Sequence, residues 1–212
     1  MSAYSEIKEK LGNAELVAVS KTHPVEKILE LYRAGQKIFG ENYVQELVDK
    51  KKQIDALDAP ALEFHFIGRL QTNKVKLVLP CVTTVHSVDS LRLYEEIVKR
   101  ADTLQKSLSI YFQVNIDEEE SKGGFKVSEL NELEFRVKAM ASKWVKPIGL
   151  MTIPNPDLNP GSAYRAMKSL SLKYVKAFGT GLSMGMSNDF EVAIVHGATS
   201  VRIGSALFGP RL

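Results

Sequence analysis

Residues 16–24 have the sequence LVAVSKTHP, and this segment begins a pattern that the rest of the chain repeats. Its apolar part, Leu16 to Val19, is typical of a buried strand, and Pro24 is typical of the first turn of a helix. Lys21 therefore lies where a strand ends and a loop begins. Burial there disfavours the charged form of an amine, and a neutral amine can condense with an aldehyde or a ketone. In an arbitrary chain, such a lysine more often only extends from a strand end into water.

Strand-like and helix-like patterns alternate along the whole sequence. The predicted strands lie at residues 16–20, 38–40, 62–67, 81–85, 109–116, 147–153, 177–182 and 200–203. The predicted helices lie at residues 3–12, 24–34, 42–54, 71–78, 87–104, 127–141, 161–173 and 188–196. Regular alternation favours a parallel sheet with helices on its faces, and eight uninterrupted units favour a closed barrel over a doubly wound sheet. We therefore expect an α/β protein with a single (β/α)8 TIM-barrel domain over residues 1–212.

The composition is ordinary for a folded protein and argues against several functional classes. The 212 residues are 44% hydrophobic and 25% charged, with a net charge of +3. The densest basic cluster, Lys50–Lys52, is typical of a solvated helix end, so we expect no nucleic-acid binding. No apolar run could span a bilayer, and the amino-terminal residues do not resemble a signal peptide. The one cysteine, Cys81, is expected to be a small buried residue inside its strand, and it suits a cytoplasmic, reducing compartment.

Polar residues follow the predicted strands, at the edge where a (β/α)8 barrel carries its active site. This set is rich in glycine, asparagine, serine and basic residues. It comprises Lys21, Gly40–Asn42, Gly68–Arg69, His86–Ser87, Asn115, Met151–Thr152, Ser183–Gly185 and Arg202–Ser205. Such a composition is typical of a site for a small polar anion.

The loops after the last two predicted strands have the residues of a phosphate site. Gly204 allows close approach of the backbone, while Ser183 and Ser205 supply N–H and hydroxyl donors. A carbonyl-reactive amine such as Lys21 opposite a phosphate loop is what pyridoxal 5′-phosphate requires. Arg202, facing the pyridine nitrogen, would keep that nitrogen unprotonated and make the cofactor a weak electron sink. The alternative for Arg202 is an ordinary salt bridge with a nearby carboxylate.

Six ordered segments together resemble one protein family. They are AVSKT (18–22), FGENYVQE (39–46), HFIGxLQxNK (65–74), GLMTI (149–153), LSMGMSxD (182–189) and VRIGSALFG (201–209). They extend from the first predicted strand to the last, and they resemble the pyridoxal phosphate homeostasis protein family. The resemblance implies a barrel similar to the N-terminal domain of alanine racemase, the type III fold of pyridoxal phosphate proteins.

The resemblance also implies roles for individual residues. Lys21 matches the Schiff-base lysine of the family, Arg202 matches the arginine that faces the pyridine nitrogen, and Asn42 lies in the motif that lines the cofactor. The phosphate-binding positions correspond to Ser183, Gly204 and Ser205. The family is associated with binding and buffering the cofactor and with amino-acid and keto-acid balance, and not with a settled reaction.

We therefore expect a protein that holds pyridoxal 5′-phosphate as a Schiff base on Lys21 and releases it to apo-enzymes, with no catalytic residue of its own. The first alternative is a racemase-like enzyme, which would need an acid or base opposite Lys21. The second is an aldolase-like barrel in which Lys21 reacts without a cofactor. We expect a monomer or weak dimer, and no metal site because the histidines are scattered.

We make a separate prediction for each of three further residues. His65 is expected to be a satisfied packing residue. Arg69 occupies a variable position of its motif, where an extra positive charge would alter the affinity for anions. Lys122, next to two glycines in the loop after the fifth strand, is expected to exchange the cofactor with Lys21.

Overall fold

The computed structural model describes residues 3–57, 62–119 and 121–209. Within these ranges, eight parallel strands pair in chain order and close into a barrel. The strands are β1 (Glu15–Val19), β2 (Ile38–Glu41), β3 (Glu63–Phe66), β4 (Thr84–Val88), β5 (Leu108–Gln113), β6 (Val145–Met151), β7 (Gly181–Ser183) and β8 (Ser200–Ile203). β8 also pairs with β1, with Leu16 opposite Val201, so the ring of strands is closed. The predicted α/β class and (β/α)8 barrel are confirmed.

Helices precede β1, connect the strands and follow β8. They are α1 (Ala3–Lys10), α2 (Val25–Arg33), α3 (Val44–Asp55), α4 (Val75–Val78), α5 (Leu91–Leu104), α6 (Leu130–Ala139), α7 (Pro160–Lys173), α8 (Val175–Phe178), α9 (Phe190–Val195) and α10 (Ser205–Phe208). Short 3₁₀ turns lie at Thr72–Lys74, Leu79–Cys81 and Val127–Glu129. Each long helix buries an apolar stripe against the strands; in α5 the buried residues are Leu93, Tyr94, Ile97, Val98 and Ala101.

β1 shows how the sequence positions the open end of the barrel. Leu16 and Ala18 are buried in the core that the helices share with the strands. Val19 instead lines a cavity at the carboxyl end of the barrel, because successive side chains of a strand point to opposite faces. Lys21 follows two residues after Val19, beyond the last paired residue of β1, and so emerges at the same end.

The predicted fourth strand begins too early. Residues 81–85 were expected to be strand, whereas β4 covers Thr84–Val88 and Cys81 lies in a 3₁₀ turn, half-buried rather than buried. The reason is Pro80, which lies in the first positions of the turn and has no N–H to give to a strand ladder. Because β4 is displaced towards its carboxyl end, the helix predicted from residue 87 begins only at Leu91, capped by Ser90.

The predicted seventh strand also begins too early. Residues 177–182 were expected to be strand, but Ala177 and Phe178 complete the short helix α8, and β7 begins at Gly181. Gly179 makes the transition with φ of +82°, a value that favours glycine. A Cβ atom at Gly179 would lie 2.7 Å from the carbonyl oxygen of Ile148, so the turn also packs closely on β6.

The helices that the structure describes include none that is both long enough and apolar enough to cross a bilayer. Among the same residues, no group of three or more histidine, cysteine or acidic side chains is arranged to hold a metal ion.

Candidate functional site

The carboxyl ends of the strands surround a cavity of about 640 Å³. Its lining includes the ends of β1 and β8 and the loops that follow β6 and β7. Among the predicted site residues, those that line it are Lys21, Asn42, Arg202, Gly204 and Ser205. The remaining predicted residue, Ser183, is fully buried and lies outside this lining. Chain segments far apart in sequence thus meet at one opening.

Lys21 is carried by a tight turn after β1. The Ser20 N–H continues the strand ladder and donates to the Gly40 carbonyl at 3.0 Å. Thr22 has φ of +65°, a left-handed conformation that is rare for a β-branched residue. Its N–H donates to Glu46 Oε1 at 2.5 Å, which fixes the strained residue to α3. Strain of this kind is concentrated at functional sites, where surrounding contacts keep it in place.

A buried lysine lies beneath this turn. Lys50 Nζ donates to the Ser20 carbonyl, to Glu41 Oε1 and to Glu46 Oε1, each at 2.7 Å. Ser20 Oγ also donates to Glu41 Oε1 at 2.7 Å. Burial raises the pKa of Glu41, although the neighbouring Lys50 acts in the opposite direction. The expectation that Lys50 belongs to a solvated helix end is therefore wrong, because its side chain turns inward between two carboxylates.

Asn42 contributes an unsatisfied polar atom to the cavity. Its Oδ1 is buried and has no hydrogen-bond partner among the described residues. The backbone of Asn42 is pressed against Gly68, where a Cβ atom would lie 2.0 Å from the Asn42 carbonyl oxygen. Ser87 Oγ donates to the Gly68 carbonyl at 2.5 Å and holds that loop in place. Asn42 is therefore fixed, with an acceptor left for a ligand.

Gly204 and Ser205 line the cavity at the end of β8, the strand that pairs with β1. A Cβ atom at Gly204 would lie 3.3 Å from Val19 Cβ, so a larger residue would crowd β1. Ser205 begins α10, whose first N–H groups have no acceptor within the helix. Ser205 Oγ donates to Ser187 Oγ at 3.3 Å, and both serines line the cavity. Ser187 was not singled out from the sequence, although it lies in the motif of residues 182–189.

Arg202 is a buried cation held by uncharged groups. Its Nη1 donates to Ser183 Oγ at 2.6 Å, and its Nη2 donates to the Thr152 carbonyl at 2.9 Å. Burial lowers the pKa of Arg202 to about 10. Among the described residues, no carboxylate lies within ion-pair distance of the guanidinium, so the salt-bridge alternative for Arg202 is wrong. Asp189, whose Oδ2 accepts from Tyr164 at 2.6 Å, favours the charged arginine only through space.

A chain of hydrogen bonds leads away from Arg202 into the barrel. Ser183 Oγ lies 2.8 Å from His86 Nδ1, and His86 Nε2 lies 3.0 Å from His65 Nδ1. Arg202 can only donate, so Ser183 Oγ accepts from it, while the directions of the two bonds that His86 makes depend on the tautomers of the two imidazoles. Burial lowers the pKa of His65 to about 4 and that of His86 well below its ordinary value. Both imidazoles are therefore neutral at pH 7, and His65 is a hydrogen-bonded core residue.

Of the further residues predicted to affect the cofactor, Lys122 lines the cavity and Arg69 does not. Lys122 lines the cavity and forms an ion pair with Glu119. Arg69 is exposed and lies outside the lining. His23, two residues after Lys21, lines the cavity, and its ring stacks on Phe208 with centroids 4.9 Å apart. This stacking connects the turn after β1 to α10.

Comparison with known proteins identifies the family. The family model described as "Alanine racemase, N-terminal domain" matches residues 2–211. A pyridoxal phosphate homeostasis protein of Aquifex aeolicus (strain VF5) is 44% identical over 204 residues, covering 93% of this chain and 87% of the relative. The protein of the same name from Escherichia coli (strain K12) is 40% identical over 201 residues, covering 92% and 85%. The chain belongs to the pyridoxal phosphate homeostasis protein family.

Solved structures agree with membership of the pyridoxal phosphate homeostasis protein family. PipY of Synechococcus elongatus PCC7942 without PLP superimposes with a TM-score of 0.89 at 31% identity, covering 98% of both chains. PipY with PLP bound has a TM-score of 0.85 at the same identity and coverage. Alanine racemase of Corynebacterium glutamicum, with a TM-score of 0.72 at 18% identity, covers 99% of this chain and 60% of the racemase. The racemase comparison shows the shared barrel fold.

Proposed function

We propose that this protein binds pyridoxal 5′-phosphate in the cavity at the carboxyl ends of the strands and holds it as a Schiff base on Lys21. The observation that carries the proposal is that Lys21, Arg202 and the Gly204–Ser205 turn line one cavity. In the covalent step, the lysine nitrogen forms a C=N bond with the aldehyde carbon of the cofactor, and water leaves. The PipY structure with PLP bound supports the proposal, since PipY is 31% identical to this chain.

The phosphate of the cofactor would lie at Gly204 and Ser205. Two hydroxyls, those of Ser205 and Ser187, are close together there, and the first N–H groups of α10 lack intrahelical acceptors. A phosphate accepts hydrogen bonds from both kinds of donor. Ser183 has a different part in the proposal, because its hydroxyl already has partners in Arg202 and His86. We propose that Ser183 positions Arg202.

Arg202 and Asn42 would hold the ring of the cofactor. The guanidinium is buried, fixed at two of its nitrogens and permanently charged, so it suits an unprotonated pyridine nitrogen. The unsatisfied Oδ1 of Asn42 suits a donor such as the ring hydroxyl. An orphaned buried acceptor is costly, and a ligand that satisfies it gains affinity. Both residues therefore fit the ring of the cofactor.

The surroundings of Arg202 favour a carrier over a catalyst. The group proposed to face the ring nitrogen is a guanidinium, which donates a hydrogen bond but keeps its own proton, so the nitrogen would stay unprotonated. Without a pyridinium, the cofactor is a weak electron sink. We propose that the protein stores a reactive aldehyde reversibly and delivers it to apo-enzymes, so that its effects on amino-acid and keto-acid balance are indirect. Racemisation is the rival function.

Lys122 is the proposed second amine for release. It lines the same cavity as Lys21 and is held by Glu119. Transfer of the imine carbon from one amine to another exchanges the cofactor without free aldehyde. If Lys122→Ala leaves the rates of loading and release unchanged, this part of the proposal is wrong.

The test of the proposed function is a visible absorption spectrum of the protein with pyridoxal 5′-phosphate, before and after borohydride. We expect a band that borohydride bleaches in the wild type and that is absent in Lys21→Ala. Incubation with an apo-enzyme acceptor should then restore the acceptor's activity as the band decreases. Steady conversion of an L-amino acid to its D-form, lost in Lys21→Ala, would favour the racemase. No band with excess cofactor would favour the aldolase-like alternative.

We further propose that the protein acts in the cytoplasm as a monomer or weak dimer, without binding nucleic acid or membranes. The free thiol of Cys81 supports a reducing compartment. The small net charge of +3 supports the absence of a nucleic-acid surface. Sedimentation across a range of protein concentrations tests the oligomeric state directly.

A further inference from the structure

Three consecutive lysines of α3 have different surroundings. The side chain of Lys50 is 6% exposed, that of Lys51 is 30% exposed and pairs with Asp55, and Lys52 is exposed. Only Lys50 faces the barrel among the three. An ammonium group has three N–H donors, and Lys50 uses all of them in the 2.7 Å contacts to Ser20, Glu41 and Glu46.

These contacts connect Lys50 to both neighbours of Lys21. On one side, Lys50 binds the Ser20 carbonyl directly, and Glu41 binds both Lys50 and Ser20 Oγ. On the other side, Glu46 accepts from Lys50 and from the Thr22 N–H. The residues before and after Lys21 are therefore fixed to a single buried ammonium.

The buried ion pairs of Lys50 and the strained backbone of Thr22 are unfavourable for folding, which indicates that they serve a function. Burying an ion pair is often no better for folding than burying apolar residues of similar volume. Thr22 adds backbone strain because its left-handed φ of +65° is unfavourable for a β-branched residue. The buried ion pair and the strained residue are both at the turn that carries Lys21. The exposed lysines of α3 have no such unfavourable burial.

We infer that Lys50 is a positioning residue for Lys21: it holds the Ser20–Thr22 turn so that the Lys21 amine is presented to the cavity. The inference rests on the proposed function of Lys21. Lys50 itself is shielded from aldehydes, because its nitrogen is buried and fully bonded as an ammonium. Its role differs from that of Asn42, which β2 already places: the Ile67 N–H donates to the carbonyl of Glu41, the residue before Asn42.

The test compares two ligands that differ only in the reacting group. Pyridoxal 5′-phosphate has an aldehyde, whereas pyridoxamine 5′-phosphate has an amine there and cannot form a Schiff base with a lysine. In Lys50→Met, we expect affinity for the aldehyde ligand to fall by about tenfold or more, and affinity for the amine ligand to stay within about twofold. The matched control, Lys52→Met, makes the same chemical change on the exposed face of α3 and should leave both affinities unchanged.

A second readout needs no ligand. Hydrogen exchange at the Thr22 amide of the ligand-free protein should be faster in Lys50→Met than in Lys52→Met, since the bond to Glu46 loses its support. If Lys50→Met does not fold, Glu46→Ala provides the same test, because it removes the link to Thr22 while Lys50 keeps its other partners. Glu46→Ala should also lower the affinity for pyridoxal 5′-phosphate relative to that for pyridoxamine 5′-phosphate, by a smaller factor than Lys50→Met.

Two results separate the possible failures. The positioning role would be overturned if the ratio of the two affinities in Lys50→Met equalled the wild-type ratio, whether or not both affinities had fallen. A wild-type protein that forms no borohydride-reducible bond between Lys21 and the cofactor would instead contradict the proposed function. In that case, unchanged Thr22 exchange in Lys50→Met would still overturn the structural part of the inference.

Discussion

The β1 side and the β8 side of the cavity each carry a basic side chain, Lys21 and Arg202, and they support it differently. On the β1 side, Lys21 follows a turn held by a buried cluster in which Lys50 is paired with Glu41 and Glu46. The positive charge of the support is compensated within the cluster. The cluster can therefore hold the turn without adding a net positive charge beside Lys21.

On the β8 side, Arg202 has only uncharged partners, the Ser183 hydroxyl and the Thr152 carbonyl. Its charge is therefore not compensated by a direct contact and remains available to a group in the cavity. The support of the β1 side is therefore charge-compensated, whereas the cation of the β8 side has no charged partner in direct contact.

The largest expected effect on affinity is at Arg202. Replacing Arg202 by methionine removes the uncompensated cation, and we expect affinity for pyridoxal 5′-phosphate to fall by about ten- to hundredfold, because hydrogen bonds to charged groups contribute about 1.5–3 kcal/mol. Equilibrium titration of the ligand measures it. Arg100→Met, which removes a surface arginine paired with Glu96 on α5, is the control. If Arg202→Met and Arg100→Met bound pyridoxal 5′-phosphate equally well, the uncompensated charge of Arg202 would have no role in binding.

A smaller effect is expected at Asn42. Asn42→Ala should lower affinity for the cofactor by about two- to tenfold, the range of a neutral hydrogen bond. The free energy of unfolding of the ligand-free protein should not fall, because Oδ1 has no partner there to lose. Ligand titration and urea unfolding measure the two quantities, with the exposed Asn73→Ala as control. A loss of stability without a loss of affinity would mean that Asn42 is structural.

Ser183 should matter more for stability than for affinity. Ser183→Ala leaves Arg202 Nη1 and His86 Nδ1 without a partner, so we expect a loss of about 1–3 kcal/mol in the free energy of unfolding. Affinity for the cofactor should fall only about two- to threefold, since Nη2 still holds the guanidinium to Thr152. Urea unfolding of the ligand-free protein is the measurement. Ser187→Ala, on the cavity side, should show the reverse pattern.

The smallest effect near neutral pH concerns the histidines. His65 has an ordinary pKa of 6.5 when unfolded, and burial lowers it to about 4 in the barrel. The unfolded chain therefore binds more protons between these values, so the free energy of unfolding falls as pH is lowered from about 6.5 to 4. Urea unfolding at several pH values should show a shallower slope in His65→Gln. If the free energy of unfolding varied with pH equally in the wild type and in His65→Gln, His65 would not be buried in its neutral form.

Much of the fold could be predicted because strands and helices alternate so regularly. β8, at residues 200–203, has the bounds that the sequence predicted. The errors at Cys81 and Ala177 lie where Pro80 and Gly179 set the local backbone, since apolar residues suit a short turn or a strand equally well. Periodicity alone could not separate the two.

The candidate site was predictable where position on a strand decides it. Lys21 and Arg202 were found because residues at the carboxyl ends of barrel strands share one opening. Lys50 was missed because three consecutive lysines are typical of a solvated surface. The spacing of Glu46 and Lys50, four residues apart on one helix, was the available signal, but it does not reveal burial. Ser187 was missed because a serine within a motif does not show which way it faces.

Lys21 is the residue that we propose to hold the cofactor. The most direct measurement is peptide mapping of the wild-type protein after incubation with pyridoxal 5′-phosphate and borohydride reduction. We expect one major modified peptide, with the adduct on Lys21, and none on the buried Lys50. An adduct on Lys122 with Lys21 unmodified, or no adduct at all, would contradict it.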